Sequence, residues 1–290
     1  MKKYIAPNEC SLGRWIAVLA VGLLIGFALS APFSFCIKTQ TTPIMGLAPA
    51  EFYGLLSFIP LFWGMVLAIK VVGKTSLKDF VLGVGGTANK KDCLILAVLF
   101  VVGFVLCALM SAGNIHLRGV NPGQFAFLIL FVLLTSWMQT SWEELIFRGI
   151  VGRWACKNLL GFTAKAVIAG VVSSLLFALS HCTNPEVTSQ SGVRVVLAIV
   201  TYAIPGLVCF LANLHFGNLL PGLLIHWLNN SLLFTMVGTE VSAMPVPTLL
   251  VDSTPYSAEW MLLSTVVTHL PIVVYLVVMM AKKKKAAAAG

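Results

Sequence analysis

Long apolar runs recur along the whole chain, and a run of about 20 such residues is enough to cross a bilayer as a helix. Candidate spans lie at Trp15–Phe35, Phe52–Val72, Cys93–Ala112, Phe125–Ile150, Ala164–His181, Val193–Leu214, Asn218–Val237 and Trp260–Ala281. The expected fold is therefore all-α, a polytopic transmembrane helix bundle of about eight spans. Composition points the same way. Of 290 residues 59% are hydrophobic and 10% charged, against about 25% charged in soluble domains. A soluble fold with so few charges would struggle to cover its surface with polar groups.

The charged residues lie mostly between the runs, in alternation. Lys2, Lys3 and Arg14 precede the first span, and the next loop has Lys38 alone. Lys70, Lys74, Lys78, Lys90 and Lys91 follow, then Arg118 alone, then Arg148, Arg153, Lys157 and Lys165, then Arg194. The seventh loop carries Glu240, Asp252 and Glu259, and the tail has Lys282 to Lys285. Rich and poor loops alternating give both termini cytoplasmic, most simply in the cell membrane. The net charge of +9 is thus a topology signal, and a nucleic-acid partner is not expected. Lys2 and Lys3 with Ala28-Leu29-Ser30-Ala31 imitate a signal peptide, but the apolar run is longer than a signal core and reads as a retained anchor. Ser76–Gly86 is too short to span and reads equally as an interfacial piece or a loop. Lys282–Gly290 reads as a disordered or appended tail. Cys10, Cys36, Cys93, Cys107, Cys156, Cys182 and Cys209 form no CxxC pair and are odd in number, which fits apolar packing rather than a disulfide framework.

Ionisable residues within spans are costly and call for an explanation. The fourth run contains Glu143 and Glu144, the fifth ends in His181, and the seventh holds His226, Asn229 and Asn230. Glu144 and Arg148 are spaced i,i+4 and can pair on one face. Glu143 points about 100° away from Glu144 and is left to face a polar cavity, where it can serve as a base. The alternative, that both glutamates are simply solvated at the cytoplasmic edge, is the lesser reading of these residues. His226 and Asn230, also i,i+4, can aim together at a carbonyl oxygen that gains charge, or can simply hydrogen-bond two helices together. His181 alone would be an interfacial histidine. His116, His215 and His269 lack a companion motif, and Asn229 is assigned structural polarity.

Taken in order, Glu143-Glu144-Leu145-Ile146-Phe147-Arg148, Phe177-Ala178-Leu179-Ser180-His181 and His226-Trp227-Leu228-Asn229-Asn230 resemble the Glu-Glu-x-x-x-Arg, Phe-x-x-x-His and His-x-x-x-Asn motifs of the CPBP family. That family comprises the type II CAAX prenyl endopeptidases and bacteriocin-processing proteins. The resemblance implies an intramembrane endopeptidase acting on peptides or membrane proteins in the lipid bilayer. It implies catalytic roles for Glu143, His181, His226 and Asn230: Glu143 activating water, His181 assisting, His226 and Asn230 holding the oxyanion. Glu144 and Arg148 would support the site. The expected organisation is N-terminal helices over 1–124, a catalytic core over 125–237, and a last helix with a basic tail over 238–290.

Two chemical routes use these residues. A zinc route would take Glu143, His181 and His226 as ligands with water in the open position. A metal-free route needs no cofactor, and it is favoured because a zincin-like helix would carry a second histidine where Asn230 stands. A non-catalytic regulator of membrane proteins and a proton-coupled transporter are the alternative functions, the latter weakened by the lack of a visible repeat. One tension remains at this level. Straight spans would put Glu143 near the cytoplasmic end of its helix and His181 near the opposite end of the next.

Overall fold

A computed structural model describes residues 11–83, 90–158, 162–239 and 241–289. Lys2, Lys3, Cys10, Glu240, Gly290 and residues 84–86 of the Ser76–Gly86 segment lie outside the described residues. Ser11 opens α1 (Leu12–Thr39) by accepting from the Arg14 amide at 3.3 Å. α2 (Pro49–Val71) returns against it. The two approach through small residues: a Cβ built on Gly64 would lie 2.7 Å from Gly26 N and 2.9 Å from Gly22 O. Gly22 and Gly26 form a G-x-x-x-G face, which lets helices meet where lipid offers no hydrophobic drive.

The short segment after α2 is a helix, α3 (Leu77–Leu82), closed by a Ser76–Asp79 capping pair and anchored by the buried Phe80. α4 (Lys90–Met110) follows, then strand β1 (Ile115–Leu117). Asn121 caps α5 (Pro122–Glu144), accepting from Gly123 N at 2.9 Å and Gln124 N at 3.2 Å. α5 runs without a break into a π-helical stretch, Leu145–Gly152, and a last segment, Arg153–Asn158. α6 (Phe162–Leu179), the single turn α7 (Pro185–Thr188), α8 (Val193–Phe216) and α9 (Leu220–Thr235) follow. Gly217, at φ 75°, ends α8 in the left-handed conformation that favours glycine. Asn213 then accepts from Gly222 N at 2.7 Å and holds the α8–α9 corner. Strands β2 (Val237–Thr239) and β3 (Leu250–Asp252) lead to α10 (Ala258–Ala289).

The protein is an all-α, multi-pass membrane bundle. Among the described residues six helices are long and apolar enough to cross a membrane: α1, α2, α4, the composite α5, α8 and α10. The fifth and seventh expected spans are the shorter α6 and α9. α9, at 16 residues, is about 24 Å long, under the roughly 30 Å of a hydrocarbon core. Around it pack α4, α5 and α8, while α8 also contacts α6 and α10. β1 pairs antiparallel and β2 parallel with β3, forming a small sheet in the order β1-β3-β2. The bundle thus has two distinct ends. α3 lies at one, where the Leu219 amide donates to Val81 O at 2.8 Å, and the sheet lies at the other. The final helix continues through the lysine run to Ala289, where the sequence suggested a disordered tail.

Candidate active site

One side of α5 carries a ladder of small hydroxyls. Thr135, Ser136, Thr140 and Ser141 are all buried, and Ser136 Oγ lies 2.9 Å from Ser231 Oγ on α9. Small polar side chains of this kind let two membrane helices come close and hydrogen-bond. Trp227 Nε1 adds a bond to Leu133 O at 3.1 Å. The ladder brings α9 to the point on α5 where Glu143 and Glu144 stand.

His226 enters between the two carboxylates. Its Nδ1 lies 3.1 Å from Glu144 Oε1, and its Nε2 lies 3.4 Å from Glu143 Oε2. Arg148 Nη1 meets Glu144 Oε1 at 3.0 Å, so that oxygen joins a guanidinium and an imidazole. Both members of the Glu144–Arg148 pair are essentially inaccessible, at 0% and 1% side-chain exposure. Such burial is tolerable only because the charges are paired. Glu143 is held more loosely. Gln139 Nε2 reaches its Oε1 at a long 3.5 Å, and its Oε2 has no hydrogen-bond donor among the described residues. Glu144 Oε2 is likewise buried without a hydrogen-bond donor among the described residues, so the two carboxylates differ in the Arg148 and His226 contacts that Glu144 Oε1 makes. Asn230 lies buried one turn beyond His226. Its amide oxygen accepts from Asn229 Nδ2 at 3.1 Å, so its NH₂ is the end with donors to offer.

His181 reaches this group through an aromatic ring. The Arg148 guanidinium lies 4.4 Å over Phe177, His226 stands edge-on to Phe177 at 5.4 Å, and His181 tilts against it at 4.6 Å. His181 Nδ1 donates to Phe177 O at 2.9 Å. In the neutral ring Nε2 then carries the lone pair.

Residues 124–232, spanning α5 to most of α9, match the family model described as type II CAAX prenyl endopeptidase Rce1-like. No curated protein and no solved structure matches the chain. α1–α4 and α10 lie outside the matched segment.

Within the matched segment Glu143, Glu144, Arg148 and His226 form one contact network, Asn230 flanks it, and His181 joins across Phe177. The tension between Glu143 and His181 dissolves for two reasons. α5 continues to Asn158, well past the expected end at Ile150, so Glu143 lies in its interior. α6 stops at Leu179, so Phe177 near its end lies at the depth of Arg148 and His226. Gln139 and Gly206 are neighbours that sequence reasoning passed over, and Phe177 entered it only as part of the Phe-x-x-x-His motif, with no role of its own. A Cβ on Gly206 would sit 2.7 Å from Arg148 Nη2, so glycine makes room for the guanidinium. Phe177 stood four residues before His181, and that i,i+4 spacing was its signal. The remaining histidines lie elsewhere. His116 is exposed on β1, His215 packs on Phe216, and His269 is buried against Phe100 with Nδ1 bonded to Thr265 O.

His226 Nδ1 is engaged by Glu144, its Nε2 already faces Glu143, and His181 touches neither. Among the described residues no group of three or more His, Cys, Asp or Glu side chains could hold a metal ion. On the adjacent face of α5, between α3 and α9, opens a cavity of about 300 Å³. Its wall is apolar apart from Lys78 and Ser141, and it includes none of the four expected catalytic residues.

Proposed function

We propose that this chain hydrolyses peptide bonds of membrane-associated peptides or proteins, using water activated by Glu143. The observation that carries the reading is the buried contact of His226 with both Glu143 and Glu144. His226 Nδ1 donates to Glu144, so Nε2 of a neutral ring would turn a lone pair toward Glu143. A proton between Nε2 and Oε2 makes that contact attractive. Glu143 and His226 thus form a pair built to exchange one proton.

Glu143 takes a proton from water, and the hydroxide adds to the peptide carbonyl carbon. The oxygen that gains charge accepts from Asn230 Nδ2 and from His226 when Nε2 carries the proton. The C–N bond then breaks, and the leaving amine takes up the proton that Glu143 removed. His181 Nε2 assists as a second proton acceptor near the water. Arg148 holds Glu144, and Glu144 holds the His226 tautomer, as carboxylates orient histidines in other hydrolytic sites. In this route no metal takes part. The domain layout of 1–124, 125–237 and 238–290, and an orientation with both termini cytoplasmic, complete the proposal.

The direct test is Glu143→Gln in purified protein cutting a membrane peptide. General-base loss predicts a fall of about 10²–10⁴-fold with unchanged folding and insertion. Parent-like cleavage by Glu143→Gln would remove the base. Chelator-treated, metal-analysed protein is expected to retain full activity, and a loss restored by added zinc would overturn the metal-free route.

A further inference from the structure

Two aromatic rings contact His181. Phe177 tilts against one side at 4.6 Å and 57°. Tyr202, from α8, stacks on it at 4.5 Å between ring centroids and 22° between planes. Nδ1 is fixed by Phe177 O at 2.9 Å, with the Ser180 hydroxyl 3.2 Å from the same nitrogen. A histidine held in this way has one ring nitrogen left, and the plane of the ring sets where Nε2 points.

Tyr202 is itself held from the far side. Its hydroxyl accepts from Asn184 Nδ2 at 3.0 Å and faces the Glu186 carboxylate. Glu186 Oε1 in turn accepts from Ala243 N at 2.7 Å, and the Glu186 carbonyl accepts from the Tyr256 hydroxyl. Four separate pieces of chain therefore converge behind one ring. They are the segment after α6, α8, the β2–β3 connection and the approach to α10. None of these partners belongs to the three motifs.

We propose that Tyr202 is a positioning residue for the hydrolysis: its ring fixes the plane of His181 and so aims Nε2 at the reacting water. The role rests on the proposed function of His181. It needs the flat ring rather than the hydroxyl, because stacking restricts rotation of the imidazole while the hydroxyl only anchors the tyrosine.

The experiment compares Tyr202→Phe, Tyr202→Leu and Tyr202→Met in full-length protein, each also in a His181→Ala background. Phe keeps the plane and should retain kcat within about twofold. Leu and Met remove it and should lower kcat by about tenfold or more with KM little changed, as small misplacements of reacting groups do. In the His181→Ala background they should cost nothing further, the non-additivity expected of groups acting as a unit. Imidazole ¹⁵N NMR of His181 provides a readout independent of activity. Parent and Phe should show one fixed Nδ1–H tautomer, and Leu or Met an averaged signal. Equal losses for Phe, Leu and Met, the same loss with and without His181, or an unchanged NMR signal in Leu and Met would each overturn the proposal. Because the NMR arm needs no turnover, it separates failure of this role from failure of Glu143 as base.

Discussion

Two adjacent glutamates point in different directions on a helix, yet one histidine from another helix touches both. His226 does so because its two nitrogens lie on opposite sides of a flat ring, and α9 approaches α5 between the two side chains. The division of labour follows. Glu144 is committed through Oε1 to Arg148 and to the histidine, while Glu143 meets only the histidine and, at a long 3.5 Å, Gln139. Arg148→Met fills similar volume but leaves Glu144 without its cation. Breaking a buried pair in this way costs about 3–5 kcal/mol, so thermal unfolding in detergent should show a clear drop in midpoint. Asn230→Ala should leave the midpoint near the parent's and slow cleavage about 10²–10³-fold, the cost of losing one oxyanion donor. A KM effect without a kcat effect would assign Asn230 to binding instead. At this scale the Glu144–Arg148 pair was legible because its partners are four residues apart. The hold of His226 on both carboxylates was not, because it depends on how α9 lies against α5. Local spacing separated Glu143 from Glu144, and packing rejoined them.

The elements show the same division. Eight apolar runs were readable, and eight corresponding helices are present, but their ends were not. α5 gains most from this: the expected span ended at Ile150, while the helix passes through the π-helical stretch and reaches Asn158. Nothing in hydropathy marks a change of hydrogen-bond spacing. Such changes often mark functional sites, and here the change begins at the residue after Glu144. Gly206 is another contact invisible in sequence, since it matters only where α8 crosses beside Arg148. Gly206→Val should displace the guanidinium, lowering thermal midpoint and cleavage rate together. A variant with parent-like values for both would show that the crossing is looser than the 2.7 Å approach implies.

Across the whole molecule, apolar side chains cover the outside as well as the core. Leu24, Leu130 and Val193 are more than 70% exposed, as lipid-facing residues are when no lipid surrounds them. Packing among the spans relies on small residues, most clearly at Gly22, Gly26 and Gly64. Gly64→Leu should force α1 from α2 and lower the melting midpoint, while Arg148 and the glutamates, on other helices, keep their contacts. Cleavage measured well below that midpoint should be close to the parent's. The sheet has a mechanical consequence. Its strands follow α4, follow α9 and precede α10, so three spans are stitched together at that end, and Glu186 fastens the β2–β3 connection to the segment after α6. At the α3 end no strand does the same among the described residues. The bundle is built like a clothes-peg, held shut by strands at the stitched end and, among the described residues, by helix contacts alone at the other.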